Sequence, residues 1–380
     1  MKKTKVLVAM SGGVDSSVAA LLMKNKGYEV IGIFMKNWSD SKNEFGECSW
    51  KDERRMAIKI CSRLGIPLLN VDSEKQYRKE VIEKMFSDYK KGITPNPDIY
   101  CNKKIKFPVL LKMAKKIGAR YLVTGHYSRI KKRMTNFELL RAKDESKDQS
   151  YFLYTLKQDE LKNLLFPIGD YTKKQIREIA KKNHLENWDK KSTVGICFVG
   201  KVNLKKFLQK KIKPRKGKIL NPDGKIIGEH DGIYYYTIGQ RIGSRYGIEI
   251  SKKDDDKNFI KRWYVARKDA KKNIIVAAPE GHPLLYRKEI FVKNVHWINQ
   301  DLVIALKKTF RRAGGRGSGT KFPKIYARIR QVGELLPCKI VFGKKIKIVL
   351  KKAITGVSEG QAIVLYRGKK VLGGGEIYFR

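Results

Sequence analysis

Lys5-Val6-Leu7-Val8-Ala9-Met10-Ser11-Gly12-Gly13-Val14-Asp15-Ser16-Ser17 decides how the rest of the chain is read. A continuous apolar run stops at two glycines and passes into helical spacing from about Asp15 to Lys26, closed by Gly27. Continuous rather than alternating apolar residues mark a strand buried on both faces, as in a parallel sheet. The glycines allow a tight turn and bring backbone N–H groups against an anion, while the helix N-terminus adds positive potential and the serines add donors. The string reads as a phosphate cradle. It reads equally as an ordinary strand-to-helix turn capped by Asp15 or Ser16. No Gly-x-x-x-x-Gly-Lys-Ser/Thr occurs, and no Gly-x-Gly-x-x-Gly follows a strand, which excludes the usual NTPase and dinucleotide loops.

Outward from this loop the strand–helix rhythm repeats. Apolar runs Val30–Phe34, Leu68–Val71 and Tyr121–Val123 alternate with helical stretches at about 52–64, 74–90 and 104–117. This predicts an α/β, doubly wound parallel sheet, with the loops after Ala9, Phe34 and Thr124 facing one crevice. Lys201–Lys218 holds nine basic residues and no acid, and beyond it Gly- and Tyr-rich segments replace the helical pattern. Short strands dominate after about 285. The expected organisation is a catalytic α/β domain over 1–204, a small β-rich central domain over 205–284 and a C-terminal β-barrel over 285–380. Ala313–Gly319 is flexible by composition and is expected as a mobile loop of that barrel.

The 380 residues are 42% hydrophobic, enough for packed cores, which excludes wholesale disorder. Lys and Arg number 84 against 37 Asp and Glu, giving +47, so the favoured partner class is a polyanion, nucleic acid first. A Lys-rich proteome would produce part of the same excess. Leu302–Gly333, with nine Lys or Arg and no acid, is the segment best suited to an RNA backbone. No apolar stretch approaches the ~20 residues that span a bilayer, and the apolar run at the start is too short for a signal peptide. A cytoplasmic protein is therefore expected. Five cysteines (48, 61, 101, 197 and 338) are too sparse for a disulfide scaffold, and the five histidines show no ligand spacing. Neither zinc nor an iron–sulfur cluster is expected.

Two cysteines stand in distinctive surroundings. Thr94-Pro95-Asn96-Pro97-Asp98-Ile99-Tyr100-Cys101 is a proline-marked turn running into a helix. A thiol near the helix start, with Lys103, Lys104 and Lys106 close in sequence, would have its thiolate favoured; it is equally readable as a small buried hydrophobe. Asp98 offers a general base or a hold on a base edge. Cys197, inside Gly195-Ile196-Cys197-Phe198-Val199-Gly200, reads by composition as core.

Ser11–Ser17 after a first strand resembles the PP-loop of the ATP pyrophosphatases, which cleave ATP between its α and β phosphates. Eight further motifs follow in order: Phe34–Trp38, Thr94–Asn102, Thr124–Tyr127, Lys147–Leu153, Gly195–Phe198, Gly228–Gly232, Tyr236–Arg241 and Leu372–Gly375. Together they resemble the tRNA-specific 2-thiouridylases over nearly the whole chain. The resemblance implies ATP as cosubstrate with magnesium, adenylation of the C2 oxygen of a tRNA wobble uridine, and release of AMP and pyrophosphate. It makes Cys197 the carrier of a persulfide received from a sulfur-transfer protein, and Cys101 the nucleophile that releases that sulfur through a transient disulfide. It places Ala9, Met10, Ser11, Gly12, Gly13, Val14, Asp15 and Ser16 on the phosphates, and Met35 and Gly125 beside the adenine. Asn96, Pro97 and Asp98 would meet the target base, and His126, Lys147, Asp148, Gln149, Arg328, Ile329 and Gln361 the tRNA. The Gly-Arg-Gly-Ser-Gly stretch is longer than the family pattern, so no contact is assigned between Lys307 and Lys324. The competing readings are another PP-loop tRNA-modifying enzyme, such as a 4-thiouridine synthase, and a non-catalytic RNA-binding protein.

Overall fold

The structure is a computed structural model and describes residues 3–39, 49–191, 203–243, 249–250, 262–313, 324–331 and 333–379. Five of its first seven strands form one parallel sheet. They are β1 (Lys5–Ala9), β2 (Glu29–Lys36), β3 (Leu68–Asp72), β4 (Tyr121–Val123) and, after a hairpin of β5 (Ser128–Arg133) and β6 (Asn136–Arg141), β7 (Leu164–Leu165). The order β3-β2-β1-β4-β7 puts β1 in the middle, fully buried at Val6, Leu7 and Val8, as its continuous apolar run requires.

Helices cover both faces. Against one lie α1 (Val14–Asn25), α2 (Ser49–Leu64) and, further on, α8 (Lys173–Lys182), packed on Val6, Val8 and Phe34. The other carries α3 (Glu74–Tyr77), α4 (Lys84–Lys90), α5 (Pro97–Cys101) and α6 (Phe107–Lys116), packed on Leu7, Ile33 and Met35. Two π-helical turns interrupt this second layer, Arg78–Glu83 between α3 and α4, and Asn102–Lys106 between α5 and α6. The short α7 (Gln158–Leu161) precedes β7. Strand order reverses between β1 and β4, and the ends of these two strands define the crevice where such sheets take ligands.

The basic stretch is folded from Asn203 on. Its α9 (Leu204–Gln209) is capped by Asn203 and sets Phe207 against Phe86, ring centroids 5.4 Å apart. Beyond it β8 (Gly217–Leu220), β9 (Ile226–His230), β10 (Arg241–Ile242), β11 (Glu249–Ile250), β12 (Trp263–Asp269) and β13 (Ile274–Pro279) form the central sheet, ordered β10-β12-β13-β8-β9-β11. The C-terminal strands β14 (Tyr286–Trp297), β15 (Ile325–Arg328), β16 (Leu336–Val341), β17 (Ile346–Thr355), β18 (Ala362–Arg367) and β19 (Lys370–Tyr378) close into a six-stranded antiparallel barrel through the β14–β19 pairing.

Two features depart from the sequence reading. Gln300–Ala313, expected among barrel strands, is the helix α10, with Val303 buried and Lys307 and Lys308 exposed. Of the flexible stretch expected at 313–319, all but Ala313 lies outside the described residues. The β5–β6 hairpin was not anticipated, because Lys131, Lys132 and Arg133 hide the apolar alternation of an edge strand. It leaves the first domain and joins β19 at Lys370↔Leu140, extending the barrel sheet to eight strands.

Candidate active site

The loop after β1 turns at Gly12, whose φ of +71° is a conformation side chains rarely adopt. A Cβ there would also lie 2.3 Å from the Glu53 carbonyl oxygen. The N-cap of α1 is Gly13, not Asp15 or Ser16, so no side chain caps the helix. Among the described residues no acceptor meets the amides of Gly12, Gly13, Val14, Asp15 and Ser16. Orphan amides at a helix start are an anion site. The Ser16 hydroxyl tightens the turn, accepting from the Ser11 amide at 3.2 Å and donating to the Gly13 carbonyl at 2.9 Å. Gly125, at the end of β4, packs directly on this turn, where a Cβ would come within 2.7 Å of the Ser16 nitrogen.

Four residues to which the sequence reading gave no role hold the loop. Lys173 Nζ donates to both Asp15 oxygens at 2.6 and 2.8 Å, and the Tyr127 hydroxyl donates to Oδ1 at 2.9 Å. Burial, reinforced by Asp15, pushes the Tyr127 hydroxyl far above its ordinary pKa, so it stays a donor. Asn187, 1% exposed, donates to the Gly12 carbonyl and the Ser17 hydroxyl, both at 3.0 Å, and Lys190 Nζ reaches the Gly12 carbonyl at 3.3 Å. The Thr172-Lys173-Lys174-Gln175 capping box marks the start of α8 and was visible in the sequence. Nothing local marks Asn187, which acts across 175 positions.

The cysteine turn opens at the same edge. Asn96 caps α5, accepting from the Ile99 amide at 3.3 Å, and Pro97 takes the first helical position, as its fixed φ favours. Asp98 lies half-buried in the first turn. Cys101 is the fifth residue of α5, immediately before the π turn, and is fully buried. Of the two readings open for this thiol, its burial is that of the small hydrophobe; Lys103 and Lys104 face solvent, Lys106 is half-buried, and the dipole effect fades within the first turn. Phe107, the first residue of α6, lies 5.8 Å, centroid to centroid, from His126 just beyond β4, so α6 begins at the carboxyl edge of the sheet and α5, which carries Cys101, precedes it. Segment 147–153 links the two halves of the site. The Gln149 side chain accepts from the Tyr127 amide at 2.9 Å, and the Phe152 carbonyl accepts from Asn102 at 3.2 Å.

The other domains hold the cysteine turn from outside. Thr94 N–H donates to the Glu359 carbonyl at 2.9 Å, and Gln361 Nε2 donates to the Thr94 and Pro95 carbonyls at 2.9 and 3.0 Å. The Thr94 and Thr237 hydroxyls lie 3.4 Å apart, and Tyr100 OH donates to Glu376 at 3.3 Å.

The tRNA methyl transferase HUP domain family matches residues 4–201, the tRNA methyl transferase PRC-barrel domain family residues 205–279, and the aminomethyltransferase beta-barrel domain family residues 287–377. A protein of Bacillus velezensis named tRNA-specific 2-thiouridylase MnmA is 42% identical over 376 residues, 98% of this chain and 95% of its own length. Proteins of the same name from Bacillus subtilis and Coxiella burnetii are each 41% identical over 98% of this chain, and over 95% and 97% of theirs. The chain belongs to the tRNA-specific 2-thiouridylase family. The methyl transferase wording of the domain descriptions differs from the name the relatives carry; identity along the full length is the more specific finding. A solved 4-thiouridine synthetase–RNA complex with bound ATP covers 55% of this chain and 50% of its own at 18% identity, with a TM-score of 0.36, too slight a likeness to separate one reaction from another.

Several residues expected on tRNA in this 2-thiouridylase chain are turned inward. Arg328, 4% exposed, donates to Asp148 at 2.8 Å, and Asp148, 2% exposed, also lies 3.4 Å from Arg141. These side chains tie β15 of the barrel to the first domain and are not available to a phosphate in this state. His126 is buried between Phe107 and Phe166, bonded at 2.6 Å to the Thr124 hydroxyl, with burial holding it well below its ordinary pKa and so neutral. The Ile329 carbonyl accepts from Tyr151 at 3.2 Å; Lys147 alone of the set is exposed. Met35 lies inside β2, which runs past Phe34 to Lys36, with its side chain buried. Cys197 and the Gly195–Phe198 motif lie outside the described residues. Cys61 is core, its thiol pushed up to about 11 by burial, and Cys338 is pushed up to about 12. Among the described residues no two cysteines are joined, and no group of three His, Cys, Asp or Glu is placed to hold a metal. No described helix is long and apolar enough to cross a membrane.

Proposed function

We infer that this chain 2-thiolates the wobble uridine of tRNA at the expense of ATP. The observation that carries the reading is the joining of a phosphate cradle to a cysteine helix at one sheet edge, through Asp15, Tyr127, Gln149, Phe152 and Asn102. An anion cradle alone would serve any ATP pyrophosphatase; a cysteine helix tied to it through those contacts gives sulfur transfer its nucleophile.

In this reading the amides of residues 12–16 and the positive end of α1 hold ATP phosphates. The adenine is assigned to Met35, next to last in β2, and Gly125, two residues beyond β4. The C2 oxygen of the uridine attacks the α-phosphorus, pyrophosphate leaves, and the oxygen departs later as AMP, a far better leaving group. Magnesium would neutralise charge on the pyrophosphate; such a cation is held by one or two carboxylates together with substrate phosphates, and Asp15, the carboxylate of the loop, would have to give up Lys173 to hold it.

Asn96, Pro97 and Asp98 shape the turn that receives the base, with Asp98 as its general base. The terminal sulfur of a Cys197 persulfide, delivered by a sulfur-transfer protein, is released as the Cys101 thiolate attacks the inner sulfur. A transient Cys101–Cys197 disulfide results, which an external thiol must reduce. The freed sulfide displaces AMP from C2.

Incubation with ATP, a persulfide source and unmodified tRNA, followed by mass spectrometry of the nucleosides, should yield 2-thiouridine. Cys101→Ser and Cys197→Ser should retain ATP and tRNA binding and make none. Normal thiolation by either variant overturns the assigned sulfur route, and 4-thiouridine as product overturns the reaction.

A further inference from the structure

Asn37 stands just beyond β2, two residues past Met35, and is 1% exposed. Neither its Nδ2 nor its Oδ1 has a hydrogen-bond partner. Asn102 and Asn187 also carry an orphan oxygen, but their amide nitrogens are bonded; among the described residues Asn37 is the side chain with both polar ends orphaned. Leaving each such group dry and unpaired is costly.

The residues flanking it are held by other partners. Lys36 pairs with Asp72 at 3.2 Å and Glu74 at 3.0 Å, and the Ser39 hydroxyl donates to Glu74 at 2.7 Å. Trp38 is wedged between Tyr77 and Phe207, ring centroids 6.3 Å from each, with the Arg78 guanidinium 4.8 Å from its ring. Neighbours on both sides are pinned while the carboxamide between them faces inward with nothing to bond. Met35, two residues before it, belongs to the same core as Cys101, on the sheet face that carries α5 and α6.

A primary carboxamide presents an acceptor beside a two-hydrogen donor, the complement of a donor–acceptor pair on a nucleobase edge. We propose that Asn37 reads the hydrogen-bonding edge of a nucleobase bound in the crevice. This rests on the reading above, in which two bases enter: the adenine of ATP and the uracil of the tRNA. Both present the required pair of groups, and the experiment separates them.

Asn37→Leu replaces the carboxamide by an apolar group of similar size. Because the wild-type amide is unpaired in the ligand-free chain, the melting temperature should stay or rise, whereas a structural hydrogen-bonding role would lower it. ATP affinity is then measured by calorimetry without tRNA, and KM for tRNA under saturating ATP. A rise of about 10- to 100-fold in the ATP Kd assigns the adenine; an unchanged ATP Kd with a similar rise in the tRNA KM assigns the uracil. If neither moves, as when the amide merely holds an internal water, or if stability falls with both affinities intact, the proposal is overturned.

Should the variant fail to fold, the wild-type chain labelled with ¹⁵N-asparagine decides. The Asn37 carboxamide signal must shift with ATP or with tRNA, and movement with neither overturns the proposal. The ATP measurements do not depend on thiolation, so a chain that binds ATP through Asn37 yet makes no 2-thiouridine would sink the reaction and not this contact.

Discussion

The phosphate loop and the cysteine turn share one sheet edge but are held in place differently. The loop takes its shape from its own residues, two glycines and two serines, and is clamped by Tyr127, Lys173, Asn187 and Lys190 of the same domain. The cysteine turn is clamped by residues more than 260 positions later, Glu359, Gln361 and Glu376 of the barrel. The first is a prefabricated anion site; the second acquires its geometry only when three domains dock. Phosphate chemistry is common to many proteins and travels with a short loop. Placing one thiol against one base demands a frame, and here the barrel supplies part of it.

The largest test of this contrast is the ion cluster that joins the barrel to the first domain. Asp148→Asn keeps the shape but leaves the buried Arg328 guanidinium without its counter-charge, and should cost about 3–5 kcal/mol in urea unfolding. A loss below about 1 kcal/mol would mean that other contacts dock the barrel. Next comes Gly12→Ala, which forces a side chain into φ +71° against the Glu53 carbonyl. The backbone conformation alone should cost about 1–3 kcal/mol, and ATP binding should vanish while the cysteine turn is untouched; retained affinity would show that the cradle tolerates a changed turn.

A pH series bears on the phosphate side. His126 is held neutral by burial, below its ordinary 6.5, so the unfolded chain binds more protons as pH falls below that value. Its contribution to stability is therefore complete above about pH 6.5 and is lost on acidification, at up to about 1.4 kcal/mol per pH unit. His230 and His296 are shifted the same way, so the measurement is the difference between wild type and His126→Gln, which should lose stability less steeply. Equal slopes would remove His126 from the account. Smallest in stability is Gln361→Ala, which deletes two hydrogen bonds to the turn and should cost about 1–2 kcal/mol. Its effect should fall on thiolation with ATP affinity unchanged, and a parallel fall in both would erase the distinction between the two regions.

How much was legible in the sequence follows the same division. Val6–Ala9 and Ser11–Ser17 announce the strand and the cradle because a buried strand and a glycine turn leave local marks. The Asn96-Pro97 cap was readable for the same reason. The β5–β6 hairpin was not, since its strands are polar and gain their place only by pairing with β19. Nor was the inward turn of Arg328, which looked like one more phosphate-binding arginine in a basic segment. A guanidinium is chemically the same whether it faces RNA or a buried carboxylate.

The sequence by itself determined the chemistry on offer: an anion cradle, a cysteine in a proline-marked turn, and an excess of positive charge. These depend on residue type and short spacing, which chain order preserves. The tertiary structure alone decided which charges are spent inside the protein, which amide is left unpaired at Asn37, and that the barrel holds the turn bearing Cys101. Those outcomes depend on distances between residues far apart in the chain, and such distances exist only after the domains have packed.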